Sequence, residues 1–234
     1  MPNLVVLADQ KRTSELLALW HVAVRKCSLV IYPIFVLVAV LSKDLIVLAY
    51  GEPYKDAVWP FLIYLAELPI RVAIYGGLLR AFGHTKPVAI GAVMGLAINV
   101  VVGYSLLRIG HGTLLGFLGP AIGTVVAELA VPVYLMVSIR SALGVSMRKV
   151  MPWADLLRVL FLCLLAGLIA AALPMRTASA IVRVVVRSCV FAAAMLGLAS
   201  WGRLLCQDDR EMLVFPFRWL VTACTVRRGT NEPA

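Results

Sequence analysis

Residues 60–86 read PFLIYLAELPIRVAIYGGLLRAFGHTK, an apolar run long enough to cross a membrane that nevertheless carries Glu67 and Arg71 near its middle. Ionisable side chains cost free energy at bilayer depth, and they are usually retained because they bind a polar group there. Spacings of three, four and four residues place four side chains on one face of a continuous helix: Tyr64, Glu67, Arg71 and Tyr75. The stretch therefore predicts a membrane-spanning helix with a polar face.

The composition of the whole chain is that of a membrane protein. It is 62% hydrophobic and 15% charged, whereas soluble domains carry about 25% charged residues. Its apolar residues occur in blocks of roughly 20, the length that crosses about 30 Å of hydrocarbon as a helix. The fold class is therefore an all-α polytopic helix bundle with about six transmembrane helices. The predicted spans are 27–41, 58–79, 87–107, 114–139, 156–173 and 181–201.

Segments outside these spans complete the predicted organisation. Residues 1–26 contain a predicted cytoplasmic interfacial helix whose apolar stripe is Leu16, Trp20 and Val24, and residues 27–201 form the six-span lobe. The polar residues 42–44 are predicted to interrupt the apolar run, leaving 45–51 as a separate half-buried element. Residues 202–234 are predicted to be a cytoplasmic amphipathic tail that lies along the membrane surface.

The net charge of +10 predicts contact with a membrane surface rather than with nucleic acid. Lys and Arg residues lie mostly between the apolar blocks, where they act as orientation signals and meet anionic lipids. Their alternation between successive loops predicts that both termini are cytoplasmic. The five cysteines are scattered and without a C-x-x-C pair, and the three histidines are isolated. No metal site, cofactor or catalytic residue is therefore predicted.

Two interpretations of the Glu67–Arg71 pair remain open from the sequence. The pair is one helical turn apart, so it can be a buried structural ion pair that determines helix packing. It can equally line a cavity for an anionic, sugar-bearing ligand, because the planar arginine fork suits phosphate oxygens and tyrosine rings suit sugars. Pro69 lies between the two charges and is expected to bend the helix.

Two further spans carry polar residues near mid-membrane. The span at 87–107 has Asn99 within a stripe of small residues, Gly91, Gly95 and Gly103, which predicts close helix packing and a ligand contact for Asn99 as an alternative. The span at 114–139 has Glu128, which is predicted either to couple transport to an ion or to bond to a neighbouring helix. Arg183 and Arg187 are expected to snorkel toward the membrane surface.

Short motifs along the chain resemble, in order and spacing, the start of the second half of bacterial oligosaccharide flippases. This family belongs to the multidrug/oligosaccharidyl-lipid/polysaccharide exporter superfamily. The motifs are PNLVVL at 2–7, QKRTSEL at 10–16, YPIF at 32–35, YGEPYKDA at 50–57, LPIR at 68–71, LLRAFGHTK at 78–86 and GFLGPAIGT at 116–124. The resemblance extends over about residues 2–201.

The resemblance implies a transporter of two lobes around a central cavity. It implies that undecaprenyl-pyrophosphate-linked oligosaccharide crosses the bacterial inner membrane for surface polysaccharide such as O-antigen. The chain would be a fragment, one lobe whose N-terminal partner lobe is missing. Arg71 would meet the pyrophosphate or an acidic sugar, oriented by Glu67, while Tyr64 and Tyr75 would line the sugar path. Glu128 would couple transport to an ion.

Other functions are weaker on the residues present. A drug or cation antiporter of the same superfamily would favour acidic cavity residues without a cationic anchor such as Arg71. A membrane enzyme of polysaccharide assembly generally needs a long extramembrane loop or a His/Asp cluster, and the sequence has neither. A non-functional remnant that is unstable alone is the last alternative. The sequence therefore predicts a transporter component and not an enzyme.

Overall fold

The computed structural model describes residues 13–174 and 179–201, and within these ranges the chain forms helices and no strand. Five helices are long and apolar enough to cross a membrane, or six if one bent pair counts as a single span. The protein is therefore an all-α, multi-pass membrane protein, which confirms the predicted fold class. The predicted tail at 202–234 and the first residues of the predicted interfacial helix lie outside the described ranges.

Eight α-helices and two short 3₁₀ helices make up the described chain. They are α1 (Thr13–Tyr50), a 3₁₀ helix (Glu52–Ala57), α2 (Val58–Leu65), a 3₁₀ turn (Ile70–Val72), α3 (Tyr75–Ala81), α4 (Lys86–Ile109), α5 (Leu114–Leu143), the one-turn α6 (Met147–Val150), α7 (Trp153–Ala171) and α8 (Ala180–Trp201). The last four predicted spans correspond to α4, α5, α7 and α8. The second predicted span is divided between α2 and α3.

The first helix differs from the prediction because it is continuous over 38 residues. At 1.5 Å per residue it is about 57 Å long, nearly twice the thickness of the hydrocarbon core. The predicted break at 42–44, with 45–51 as a separate element, is wrong, since helix runs through these residues, and α1 also continues through Cys27, where the first span was predicted to begin. Helix continues through the polar residues because Ser42 and Asp44 are buried against protein rather than solvated in a loop.

The predicted apolar stripe at the start of α1 packs on protein. Leu16, Trp20 and Val24 are all buried, and they join one core cluster with Val150 and residues of α7. The Trp20 indole N–H donates to the carbonyl of Val150 at 3.2 Å. This contact joins the first turns of α1 to α6, the one-turn helix that precedes α7.

An ionic cluster joins α8 to α1. Both oxygens of Asp44 accept hydrogen bonds, one from Arg183 Nε at 2.8 Å and the other from Arg187 Nη1 at 3.1 Å. Asp44 is only 5% exposed. The prediction that both arginines snorkel is wrong, because a buried carboxylate supplies the countercharge that water or headgroups would otherwise supply.

Helices α4 and α5 approach each other so closely that their backbones touch. A Cβ atom added to Gly123 would lie 2.7 Å from the amide nitrogen of Gly103 and 2.9 Å from the carbonyl oxygen of Asn99. One added to Gly95 would lie 2.8 Å from Val131 Cγ2. These distances confirm that the small residues of α4 serve close helix packing. The pair α4–α5 is the most extensive helix contact in the described chain.

The segment between α1 and α4 connects two groups of helices. One group consists of α1, α7 and α8, which pack against one another, and the other is the pair α4–α5. Helix α2 contacts both α1 and α5, and the 3₁₀ turn at 70–72 does the same. The six predicted site residues lie in this connecting segment and on the α4–α5 pair.

The close approach at Gly123 generates the first prediction. We expect Gly123→Ala to destabilise the protein by about 1–3 kcal/mol, because the added methyl group must displace backbone rather than a flexible side chain. Thermal unfolding of the purified protein in detergent measures this. Gly91→Ala is the matched control, since its nearest neighbours lie 3.5 Å from the added carbon, and it should change stability by less than about 1 kcal/mol. Equal effects of both substitutions would contradict the inferred backbone contact.

The cluster at Asp44 generates the second prediction. We expect Asp44→Asn to lower the free energy of unfolding by about 3–5 kcal/mol, because two guanidinium groups lose their buried countercharge. Asp56→Asn removes the same charge from an exposed position and should change stability by less than about 0.5 kcal/mol. Unfolding in mixed micelles with increasing SDS measures both variants. A small effect at Asp44 would mean that α8 is held to α1 by apolar packing instead.

Candidate functional site

The span that carries Glu67 and Arg71 is broken rather than merely bent. Pro69 has no amide hydrogen, and the carbonyl of Leu65 accepts from Leu68 at 3.0 Å instead. The carbonyl of Glu67 accepts from the amide of Arg71 at 3.2 Å. Ala73 is then extended, with φ −123° and ψ 136°. Helix resumes in α3, and the two halves of the span differ in direction by 44°.

The break separates the four residues that were predicted to share one helical face, so that prediction is wrong. Tyr64 lies in α2 and is 44% exposed. Tyr75 begins α3, is buried, and donates its hydroxyl hydrogen to the carbonyl of Ile70 at 3.3 Å. A regular helix would have aligned them, but the proline and the extended residue at 73 rotate the second half away.

Arg71 bridges two carboxylates. Its Nη2 lies 3.2 Å from Glu67 Oε2 in the same segment and 3.0 Å from Glu128 Oε1 on α5. The predicted pair between Glu67 and Arg71 is therefore confirmed. Glu128 therefore bonds to a neighbouring element, the second of the two predictions made for it, through an arginine 57 positions earlier in the sequence. Sequence reasoning missed this contact because it depends on how the broken span meets α5.

Asn99 also has a partner on α5. Its Nδ2 donates to Thr124 Oγ1 at 2.9 Å, and the Thr124 hydroxyl donates to the carbonyl of Pro120 at 2.9 Å. Thr124 lies one turn before Glu128 on α5, and this four-residue spacing was the available signal for its involvement. The amide of Asn99 thus helps to hold α4 and α5 together, as the helix-packing alternative predicts.

A cavity of about 790 Å³ opens between α4, α5 and the broken span. Its polar wall consists of Arg71, Tyr75, Asn99, Thr124 and Glu128. Asn99 and Glu128 lie near the middle of α4 and α5, so the polar wall lies at mid-membrane depth. Four of the six predicted site residues therefore meet in one cavity. Tyr64 and Glu67 do not line it, although Glu67 touches it through its bond to Arg71.

The charges at this site suit an anion at one position and a cation at another. The Arg71 side chain is 58% exposed and the Glu128 side chain 36%, so both can reach a molecule in the cavity. The Glu67 side chain is only 11% exposed and bonds to Arg71, but it does not itself line the cavity. Among the described residues, no three His, Cys, Asp or Glu side chains are grouped to hold a metal ion.

Comparison of the chain with models of known families, with curated proteins and with solved structures found no match.

The polar wall generates a prediction about what fills the cavity. Charged side chains at mid-membrane depth need water or protein around them, so we expect a water-filled cavity. In a background without the five native cysteines, Leu96→Cys should react with a charged thiosulfonate at least about tenfold faster than Val93→Cys, because the thiolate is the reactive form and needs water.

Leu96 and Val93 are a matched pair for this test. Both lie on α4 with nearly equal exposure, 68% and 69%, but only Leu96 lines the cavity. The reaction is followed in intact membranes, so that lipid covers the surfaces that it normally covers. Equally slow reactions at both positions would show that the cavity is filled by lipid or covered by another protein segment.

Proposed function

We propose that this chain is one lobe of a flippase that moves undecaprenyl-pyrophosphate-linked oligosaccharide across the bacterial inner membrane for surface polysaccharide assembly. In this proposal both termini are cytoplasmic, as the distribution of Lys and Arg residues indicates. The sequence resemblance and the cavity support the proposal independently of each other. The resemblance rests on short motifs, whereas the cavity rests on side-chain geometry.

The single observation that carries the proposal is Arg71, a half-exposed guanidinium in the wall of a mid-membrane cavity. A guanidinium binds phosphate oxygens through two parallel N–H donors, and such bonds are strong where water is scarce. Tyr75 and Asn99 lie in the same wall. Asn99 can donate to sugar hydroxyl groups, and an aromatic ring can pack against a sugar face.

The open side of the cavity supports a partner lobe. Arg71 and Glu128 are partly exposed in the cavity that α4, α5 and the broken span line, and lipid cannot satisfy charged groups. In a two-lobe transporter the second lobe would cover this side and complete the cavity around the ligand. We therefore propose that the transported molecule passes between this lobe and its partner.

The second candidate function is a drug or cation antiporter. It is favoured by the two carboxylates, Glu67 and Glu128, which outnumber the single guanidinium between them. In that case Arg71 would neutralise one carboxylate and leave the other for a cationic substrate. The two candidates differ in the charge of their ligand, which is an anion for the flippase and a cation for the antiporter.

Binding of undecaprenyl pyrophosphate to the purified chain tests the flippase proposal. In a maltoside detergent, which carries no phosphate, we expect Arg71→Ala to weaken binding at least about tenfold, or about 1.4 kcal/mol. Arg71→Lys should recover only part of the affinity, because a lysine keeps the charge but loses the planar fork.

Arg108→Ala is the matched control, because Arg108 lies at the end of α4 over the ring of Tyr104, at 5.8 Å, and away from the cavity. It should bind the lipid as the wild-type protein does. Unchanged binding by Arg71→Ala would overturn the assignment of Arg71 to the pyrophosphate. Preferential binding of a lipophilic cation that depends on Glu128 would favour the antiporter.

A further inference from the structure

Glu67 is held by one of its two oxygens. Its Oε2 bonds to Arg71 at 3.2 Å, whereas its Oε1 is buried and has no hydrogen-bond partner in the part of the chain that the structure describes. The residue as a whole is 8% exposed. Among the residues that the structure describes, Arg71 is therefore the countercharge of this carboxylate. If Arg71 is withdrawn, a buried and unpaired carboxylate remains.

Glu128 is in a different situation, although it shares Arg71. Its side chain is 36% exposed and lines the cavity. If Arg71 turns away, water in the cavity can solvate Glu128. Water solvates Glu67 much less than Glu128, because the Glu67 side chain is only 11% exposed. The two carboxylates therefore respond differently to the same event.

We propose that Glu67 takes up one proton when an anion in the cavity binds Arg71. The proposal rests on the flippase function proposed above and adds how the site is neutralised. The anion draws the guanidinium off Glu67, and the buried carboxylate then becomes neutral by protonation, because an unpaired charge is too costly there. A hydronium ion in the cavity water delivers the proton: one of its O–H bonds breaks, the O–H bond on Glu67 forms, and a water molecule remains.

No other charge on the neighbouring elements is placed to replace Arg71. The 3₁₀ turn that carries Arg71 lies between α2 and α3, packs on α1 and α5, and faces α4 across the cavity. The titratable and charged groups of these elements and of α3 are Glu15, His21, Arg25, Lys26, Cys27, Tyr32, Lys43, Asp44, Tyr50, Tyr64, Tyr75, Arg80, Lys86, Tyr104, Arg108, Glu128, Tyr134 and Arg140. Arg80, Lys86, Arg108 and Arg140 lie in the first or last turns of their helices. Among the described residues, the cation that forms an ion pair with Glu67 is Arg71. The acid Asp44 is already bound by Arg183 and Arg187.

Proton uptake and anion binding must then strengthen each other. Glu67 is charged when the anion is absent and neutral when it is bound, so a lower pH favours the bound state. Affinity for the anion should fall as pH rises, by up to about tenfold per pH unit in the range where one proton is taken up.

Calorimetric titration with sulfate tests this proposal. Sulfate does not itself take up protons between about pH 5 and about pH 8, so any proton uptake belongs to the protein. The full chain in maltoside detergent is titrated in buffers with different ionisation enthalpies, which gives the number of protons taken up for each sulfate bound. We expect about one proton in the wild-type protein. Glu67→Gln should bind sulfate without uptake, whereas Glu128→Gln should retain it.

Glu52→Gln provides a charge-matched control, since Glu52 is exposed in the first 3₁₀ helix, and it should titrate as the wild type does. Arg71-dependent binding without proton uptake in the wild type would overturn this proposal and leave the flippase function standing. Uptake lost in Glu128→Gln and kept in Glu67→Gln would overturn the choice of Glu67. Sulfate binding that does not depend on Arg71 would overturn both proposals. The number of protons that the wild-type protein takes up for each sulfate decides whether uptake accompanies binding, even if a variant fails to fold.

Discussion

Arg71 and its two carboxylates are the contact on which the arrangement of the site depends. A guanidinium at mid-membrane depth must be neutralised, and Arg71 is neutralised from both sides, by Glu67 within its own segment and by Glu128 on α5. The span breaks after Leu65, and the 3₁₀ turn that follows places Arg71 within 3.0 Å of Glu128 on α5. The proline in the span thus does more than bend a helix, since it places a cation where two elements meet.

The same rule explains the ionic cluster at Asp44. Two arginines of α8 and one carboxylate of α1 are brought together inside the bundle, where none of them would be stable alone. The two clusters differ in exposure. Asp44 is enclosed and joins helices, whereas Arg71 is half exposed in the wall of a cavity. Exposure to a cavity is what separates a candidate binding group from a structural ion pair.

Much of the fold was predictable because a membrane restricts the choices. Apolar blocks of the right length must be helices, since lipid offers no hydrogen bonds to the backbone, and α4, α5, α7 and α8 were located in this way. The glycines of α4 were assigned correctly to close packing for a similarly local reason. The continuity of α1 was not predictable, because the polar residues at 42–44 look like a loop until Asp44 is given its partners.

The sequence by itself determined the all-helical membrane fold and the approximate position of the last four spans, and it marked Glu67, Arg71, Asn99 and Glu128 as polar residues at bilayer depth. These properties follow from composition and local spacing. Only the tertiary structure decided which of them meet. It separated Tyr64 from the cavity, joined Arg71 to Glu128 and left one oxygen of Glu67 without a partner among the described residues. Contacts between residues far apart in the chain depend on the break at Pro69 and on the approach of α5, and neither is encoded in any single stretch.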